Sequence, residues 1–123
     1  RQFIDRKPLI GKTITKFNEF LNLYFEKGEA AKDGLPSVNY MASQLKLSSK
    51  YLSDLLKQET GKTALELIHL YVVSEAKNLL VAGEHSISEI AYKLGFENPP
   101  YFSRLFKKEV GVSPKEFKNQ ILN

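Results

Sequence analysis

Apolar positions along this chain recur at three- and four-residue intervals, the spacing by which a helix buries one face. Phe17, Phe20, Leu21, Tyr24 and Phe25 form the first such stripe, which starts near Ile14 and ends at Gly28. Val38, Met41, Ala42 and Leu45 form the second, behind Ser37. A third helix, SKYLSDLLKQET, stops at Gly61. A longer one, about Ala64 to Ala82, carries Leu67, Ile68, Tyr71, Val72, Leu79 and Leu80 and closes at Gly83. Ile87, Ile90, Ala91 and Leu94 make the fifth stripe, Tyr101, Phe102, Leu105 and Phe106 the sixth. A last short helix contains Phe117. The pattern predicts an all-α fold of about seven helices. RQFIDRKPLIGKT has little periodicity and is expected to be a linker; GEAAKDGLP, rich in breakers, is expected to be a loop.

Boundary residues sharpen these elements. Ser86 with Glu89, Thr63 with Glu66 and Ser113 with Glu116 have the spacing in which a hydroxyl and a carboxylate cap each other's backbone N–H. Pro114 suits the first helical position, as do Pro99 and Pro100 behind the N-cap Asn98, because N–H groups there lack helical partners. Gly95 falls just after Leu94, where a left-handed turn residue is needed and glycine adopts it at little cost. The small Ala91 lets the following helix cross closely. Ser86 to Phe117 therefore reads as a helix-turn-helix.

The same unit occurs twice. YLSDLLKQETGKTALEL aligns with YFSRLFKKEVGVSPKEF at an offset of fifty residues, pairing Tyr51 with Tyr101, Ser53 with Ser103, Lys57 with Lys107 and Gly61 with Gly111. Upstream the offset is forty-nine, pairing Ser37 with Ser86 and Ala42 with Ala91, so the second turn is one residue longer. The expected organisation is a linker or the end of a missing N-terminal domain at 1–13 and a domain of two helix-turn-helix units at 14–119. Within the latter, helix-turn-helix units near 37–61 and 86–111 flank a linking helix near 63–82. A last helix lies near 113–120, and a tail follows at 120–123. Two reading helices held about 34 Å apart would meet successive major grooves, one turn of B-DNA apart.

Composition narrows the possible functions. The net charge of +4 over 123 residues favours polyanions mildly, but its distribution says more. Residues 37–62 carry a net +2 and 93–118 a net +3, whereas 63–92 carry −3. Across the repeat, positive charge thus sits in two separated blocks, one in each unit. No run approaches the length of a spanning helix, no signal peptide opens the chain, and there is no cysteine, which fits a reducing, cytoplasmic setting. Catalysis has no support: GKT at 11–13 and 61–63 lacks the earlier glycine of a phosphate loop, with Arg6 and Leu56 in its place. His69 and His85 have no metal-spaced partner, and no cofactor is expected.

The order of elements, with SISEIAYKLGF, YFSRLFKKEVGVSP and YLSDLLKQETG, closely resembles the C-terminal DNA-binding domain of AraC/XylS-type bacterial transcription regulators, over about Ile14 to Asn119. The resemblance implies sequence-specific binding to double-stranded DNA. It implies activation through contact with RNA polymerase, and an effector or dimerisation domain N-terminal to this one. By position, its base-reading residues fall at Lys50, Ser53 and Asp54 in the first unit and at Pro99, Pro100, Ser103 and Arg104 in the second. Arg104 is the foremost, because a guanidinium bonds guanine O6 and N7 together. Asp54 departs from the basic residue often found there: it either accepts from a cytosine N4 or orients Lys50 or Lys57 and reads nothing. Pro99 and Pro100 also depart, and helix initiation explains them more readily than contact with a thymine methyl.

Lys57, Lys107 and Lys108 are candidate phosphate contacts, as are the helix starts at Ser37 and Ser86. Tyr51, Tyr101, Phe96 and Phe106, at helical spacing, are expected in the core rather than as base-stacking platforms. The competing class is an all-helical protein-interaction module, which explains the apolar stripes equally well. It does not explain two basic reading helices repeated at a fixed offset. A double-stranded RNA role is weaker still, since the A-form major groove does not admit a helix.

Overall fold

The computed structural model describes residues 6–122, and among these it is all-helical, with eight helices. They are α1 (Arg6–Glu26), α2 (Glu29–Asp33), α3 (Val38–Gln44), α4 (Ser49–Thr60), α5 (Ala64–Ala82), α6 (Ile87–Lys93), α7 (Pro99–Val110) and α8 (Pro114–Leu122). α3 and α4 form the first helix-turn-helix, α6 and α7 the second. α5 joins them and packs against α1 and α4 on one side and α6, α7 and α8 on the other. One core runs through both units. Phe17, Leu21, Met41, Leu52 and Leu56 fill the first half, Ile90, Phe102 and Phe106 the second, and Ile68, Val72 and Ala76 of α5 lie between them, all fully buried.

The caps form as their spacing demands. Thr63 Oγ1 accepts from the Glu66 N–H at 3.1 Å while the Glu66 carboxylate accepts from the Thr63 N–H at 2.8 Å. Ser86 with Glu89 and Ser113 with Glu116 repeat the arrangement. Both helix-turn-helix turns close by the same backbone device. Leu47 N–H donates to Ala42 O and Phe96 N–H to Ala91 O, each at 2.9 Å, the long-range bond of a glycine-type C-cap. Gly95 takes the left-handed position in the second turn (φ +98°); Lys46 takes it in the first (φ +60°), at about 1–2 kcal/mol for a residue with a Cβ.

Two segments differ from the pattern-based expectation. The stretch 6–13, expected as a linker, is helical and continuous with α1; residues 1–5 of that expected linker lie outside the described residues. Pro8 sits in the first turn, where its missing N–H had no partner to lose, and an established helix extends by one bond per residue fixed. The junction falls where the apolar stripe begins: Ile14 N–H donates to the Glu59 carboxylate of α4 at 2.9 Å. The expected loop at 28–36 contains α2, the reason for eight helices rather than seven. Five residues are too few to show a helical period.

That short helix ties the units together. Tyr24 donates its phenol proton to Gly34 O at 2.7 Å, holding the 28–35 segment across the second unit's turn. A Cβ on Gly95 would lie 2.8 Å from Ala30 O and 3.0 Å from Leu35 N. Only a glycine permits this approach. Gly61, at φ +77°, faces open space instead. Gly61→Ala is expected to destabilise the fold by about 1 kcal/mol through backbone strain alone, and Gly95→Ala by about 2–4 kcal/mol through strain plus displacement of the strap. Chemical denaturation of the two variants compares them directly; equal losses would show that the strap contact contributes nothing.

Candidate nucleic-acid interface

Each unit's second helix turns one stripe outward. A helix advances roughly 100° per residue, so positions i, i+4 and i+7 share a face. On α4 these are Lys50, Asp54 and Lys57, all exposed, opposite the buried Leu52 and Leu56. On α7 they are Pro100, Arg104 and Lys107, also exposed, opposite Phe102 and Phe106. Ser53 and Ser103 are half-buried at one edge of each stripe, Pro99 is half-buried at the first position of α7, and Lys108 is exposed. The residues singled out in the sequence are therefore brought together on two equivalent helix faces.

The two faces differ in charge. Lys50 Nζ lies 3.5 Å from Asp54 Oδ2, with the side chains 88% and 66% exposed. Asp54 thus stands within ion-pair distance of Lys50. An ion pair this open is worth little and yields readily to a competing phosphate. Arg104 and Lys107 have no carboxylate partner among the described residues, so the second face carries the stronger positive field.

Ser37 and Ser86 are exposed N-caps whose hydroxyl oxygens accept from the N–H of Tyr40 and Glu89. Capping uses their lone pairs and leaves each O–H proton free to donate. Ser49 Oγ donates to Asn39 Oδ1, linking the start of α4 to α3 beside Lys50.

Phe96 and Phe106 are core residues as expected, but Tyr51 and Tyr101 are not: they are 53% and 50% exposed. Each follows the outward stripe by one residue and so sits about 100° around the helix, at the edge of the buried face rather than on it. That offset from Lys50 and Pro100 was the available signal. Also absent from the sequence reading are Lys12 and Lys16 of α1. With Tyr51 they border a groove of about 280 Å³ floored by Leu45, Leu47 and Leu55.

Among the described residues no group of three or more His, Asp or Glu side chains could hold a metal, and no helix is long and apolar enough to cross a membrane. His69 on α5 lies near Lys108 and Glu109 of α7. Burial holds its imidazole below the ordinary value; Glu109 opposes this and Lys108 adds to it. Well above pH 6.5, from about pH 7.5, the ring is neutral in folded and unfolded chains alike. Below it, the unfolded ring takes a proton that the folded ring resists, so stability falls until the folded pKa is passed. Glu66, Glu89 and Glu116, held below their ordinary range by their capping hydrogen bonds, act in a separate, more acidic window. Thermal unfolding between about pH 7.5 and 5.5 is expected to show the His69 loss and His69→Gln to reduce it. An unchanged slope in the variant would contradict this.

A family model described as a helix-turn-helix domain matches residues 41–120. Over 78 residues the chain is 37% identical to an HTH-type transcriptional activator RhaS of Salmonella arizonae, an overlap of 63% of this chain and 28% of that protein. Among solved structures, the C-terminal domain of AraT, a response regulator from Geobacillus stearothermophilus, is 32% identical with a TM-score of 0.70, over 85% of this chain and 84% of that one. A transcriptional regulator from Chromobacterium violaceum, described as AraC-type and DNA-binding-domain-containing, gives a TM-score of 0.73 over 90% and 96% of the two chains; at 23% identity this is a likeness of fold. The chain spans 28% of the length of the curated relatives it matches.

Proposed function

Because this chain belongs to the AraC/XylS-type family of helix-turn-helix DNA-binding domains, we propose that it binds specific double-stranded DNA as the DNA-binding part of a transcription regulator. One observation carries the reading: α4 and α7, equivalent in the repeat, each present a polar and basic stripe outward while the opposite face is locked in one shared core. A single exposed polar face is ordinary for a surface helix, but its recurrence with basic residues at equivalent places on both second helices supports the reading. Two such faces on a common helix suit two major-groove segments on one side of a duplex, arranged as direct rather than palindromic half-sites.

In this reading α7 enters a groove with its N-terminal turns. Arg104 donates to guanine O6 and N7, Ser103 supplies a short hydrogen-bonding group, and Pro99 and Pro100 start the helix and offer apolar contact to a thymine methyl. On α4, Lys50 and Ser53 face bases, and Asp54 holds Lys50 in place until a phosphate or base edge competes for it. Lys57, Lys107 and Lys108 contact phosphates, supplying affinity without sequence information. The Ser37 and Ser86 hydroxyls donate to phosphates where the first helix of each unit meets the backbone.

The length of the relatives supports a parent protein with an effector or dimerisation domain N-terminal to this one. The activator name of RhaS supports RNA polymerase as a partner. A cytoplasmic setting follows from a promoter target.

Selection of bound duplexes from a random pool at near-physiological salt tests the reading. Two enriched boxes about one helical turn apart are expected; one box would leave base reading to α7 alone. No enrichment by folded protein would overturn the reading in favour of a protein-interaction module. On the selected site, Arg104→Ala is expected to cost about 1–3 kcal/mol and relax preference at one base pair. Lys107→Ala is expected to weaken all duplexes alike and to make the salt slope shallower by about one. Titrations on selected and scrambled duplexes separate the two patterns, and exchanged patterns would exchange the roles.

A further inference from the structure

Tyr51 and Tyr101 occupy the third position of α4 and α7. Their backbone N–H groups donate to the N-caps Ser48 Oγ at 3.1 Å and Asn98 Oδ1 at 3.2 Å, so the two are held alike. Half of each ring is covered. Tyr101 meets Phe96 edge to face at 5.9 Å between centroids, and Tyr51 lies against the leucines of the α1 groove. The side chains are 53% and 50% exposed, and neither hydroxyl has a hydrogen-bond partner among the described residues. A residue needed only for packing at this position would not require the hydroxyl.

The flank on which these hydroxyls stand narrows their target. The stripe that faces bases runs through Lys50, Asp54 and Lys57, and through Pro100, Arg104 and Lys107. Each tyrosine is offset from its stripe by about 100°, where a helix lying in a groove meets the bordering sugar-phosphate strand rather than base edges. Cations share that flank in both units. Lys108 lies seven residues, two turns, beyond Tyr101. Lys12 and Lys16 reach the rim of the groove beside Tyr51 from α1, an element the sequence assigns to packing alone. Directed donors are scarce at the start of α7, where Pro99 and Pro100 have no N–H. A neutral hydroxyl supplies direction where lysines supply only charge.

Resting on the DNA-binding reading above, we propose that Tyr51 and Tyr101 are a matched pair of positioning residues. Each phenol donates to a backbone phosphate and fixes the register of its helix in the groove, with Lys12 and Lys16 flanking the first phosphate strand and Lys108 the second.

The test removes the hydroxyls and keeps the rings. Tyr51→Phe and Tyr101→Phe are each expected to lower affinity about fivefold, on selected and scrambled duplexes alike, with the salt slope and thermal midpoint unchanged. The double variant is expected to lose about twenty-five-fold. Lys12→Ala and Lys16→Ala are each expected to make the salt slope shallower by about one. Wild-type affinity in both phenylalanine variants would overturn the proposal and leave the DNA-binding reading intact. Loss confined to one sequence would also overturn it, because the hydroxyls would then be reading bases. Failure of the unaltered chain to bind any duplex would defeat the DNA-binding reading and the proposal with it.

Discussion

The structure depends on α5 being shared. Nineteen residues of helix span about 28 Å, and their buried positions belong to two units at once. Ala64, Ile68, Val72, Val73, Ala76 and Leu80 are all buried in the one core that both units share. Fully burying an Ile or Val side chain is worth about 1.5–3 kcal/mol, so turning one unit relative to the other would expose several such contributions together. The approach of Gly95 to Ala30 and Leu35 adds a second tie on a different side. Two fixed points leave little freedom. The outward stripes of α4 and α7 inherit a set spacing from contacts that lie far from either stripe.

Much of this was legible because helix ends are local chemistry. Thr63 with Glu66 and Ser86 with Glu89 cap one another across three residues, and nothing distant is needed to satisfy them. The second turn was equally readable from Gly95. The first turn was less so, since Lys46 occupies the left-handed position under the force of the Leu47 to Ala42 hydrogen bond and the packing of Leu45 and Leu47. α2 and the N-terminal turns of α1 were missed for a shared reason. α2 packs on the second unit's turn at Gly95, and residues 6–13 extend a helix already established from Ile14; a local apolar period reports neither.

The candidate interface was legible in outline and blurred at its edge. Lys50, Asp54, Arg104 and Lys107 stand opposite residues that had to be buried, so their exposure follows from periodicity. Tyr51 and Tyr101 sit at the border of the apolar arc, where a large amphipathic side chain is half covered, and spacing alone does not decide which half. The Lys50–Asp54 pair carries the same lesson. Its spacing allowed an ion pair, but only the three-dimensional arrangement shows the carboxylate turned to the lysine.

The central claim is that both units engage one face of a duplex together at the spacing α5 imposes. Hydroxyl-radical footprinting of this chain on a selected duplex tests it most directly. The account predicts two protected windows on the same side of the helix, their centres about 10–10.5 base pairs apart. A single window, or two windows on opposite sides of the duplex, would contradict it.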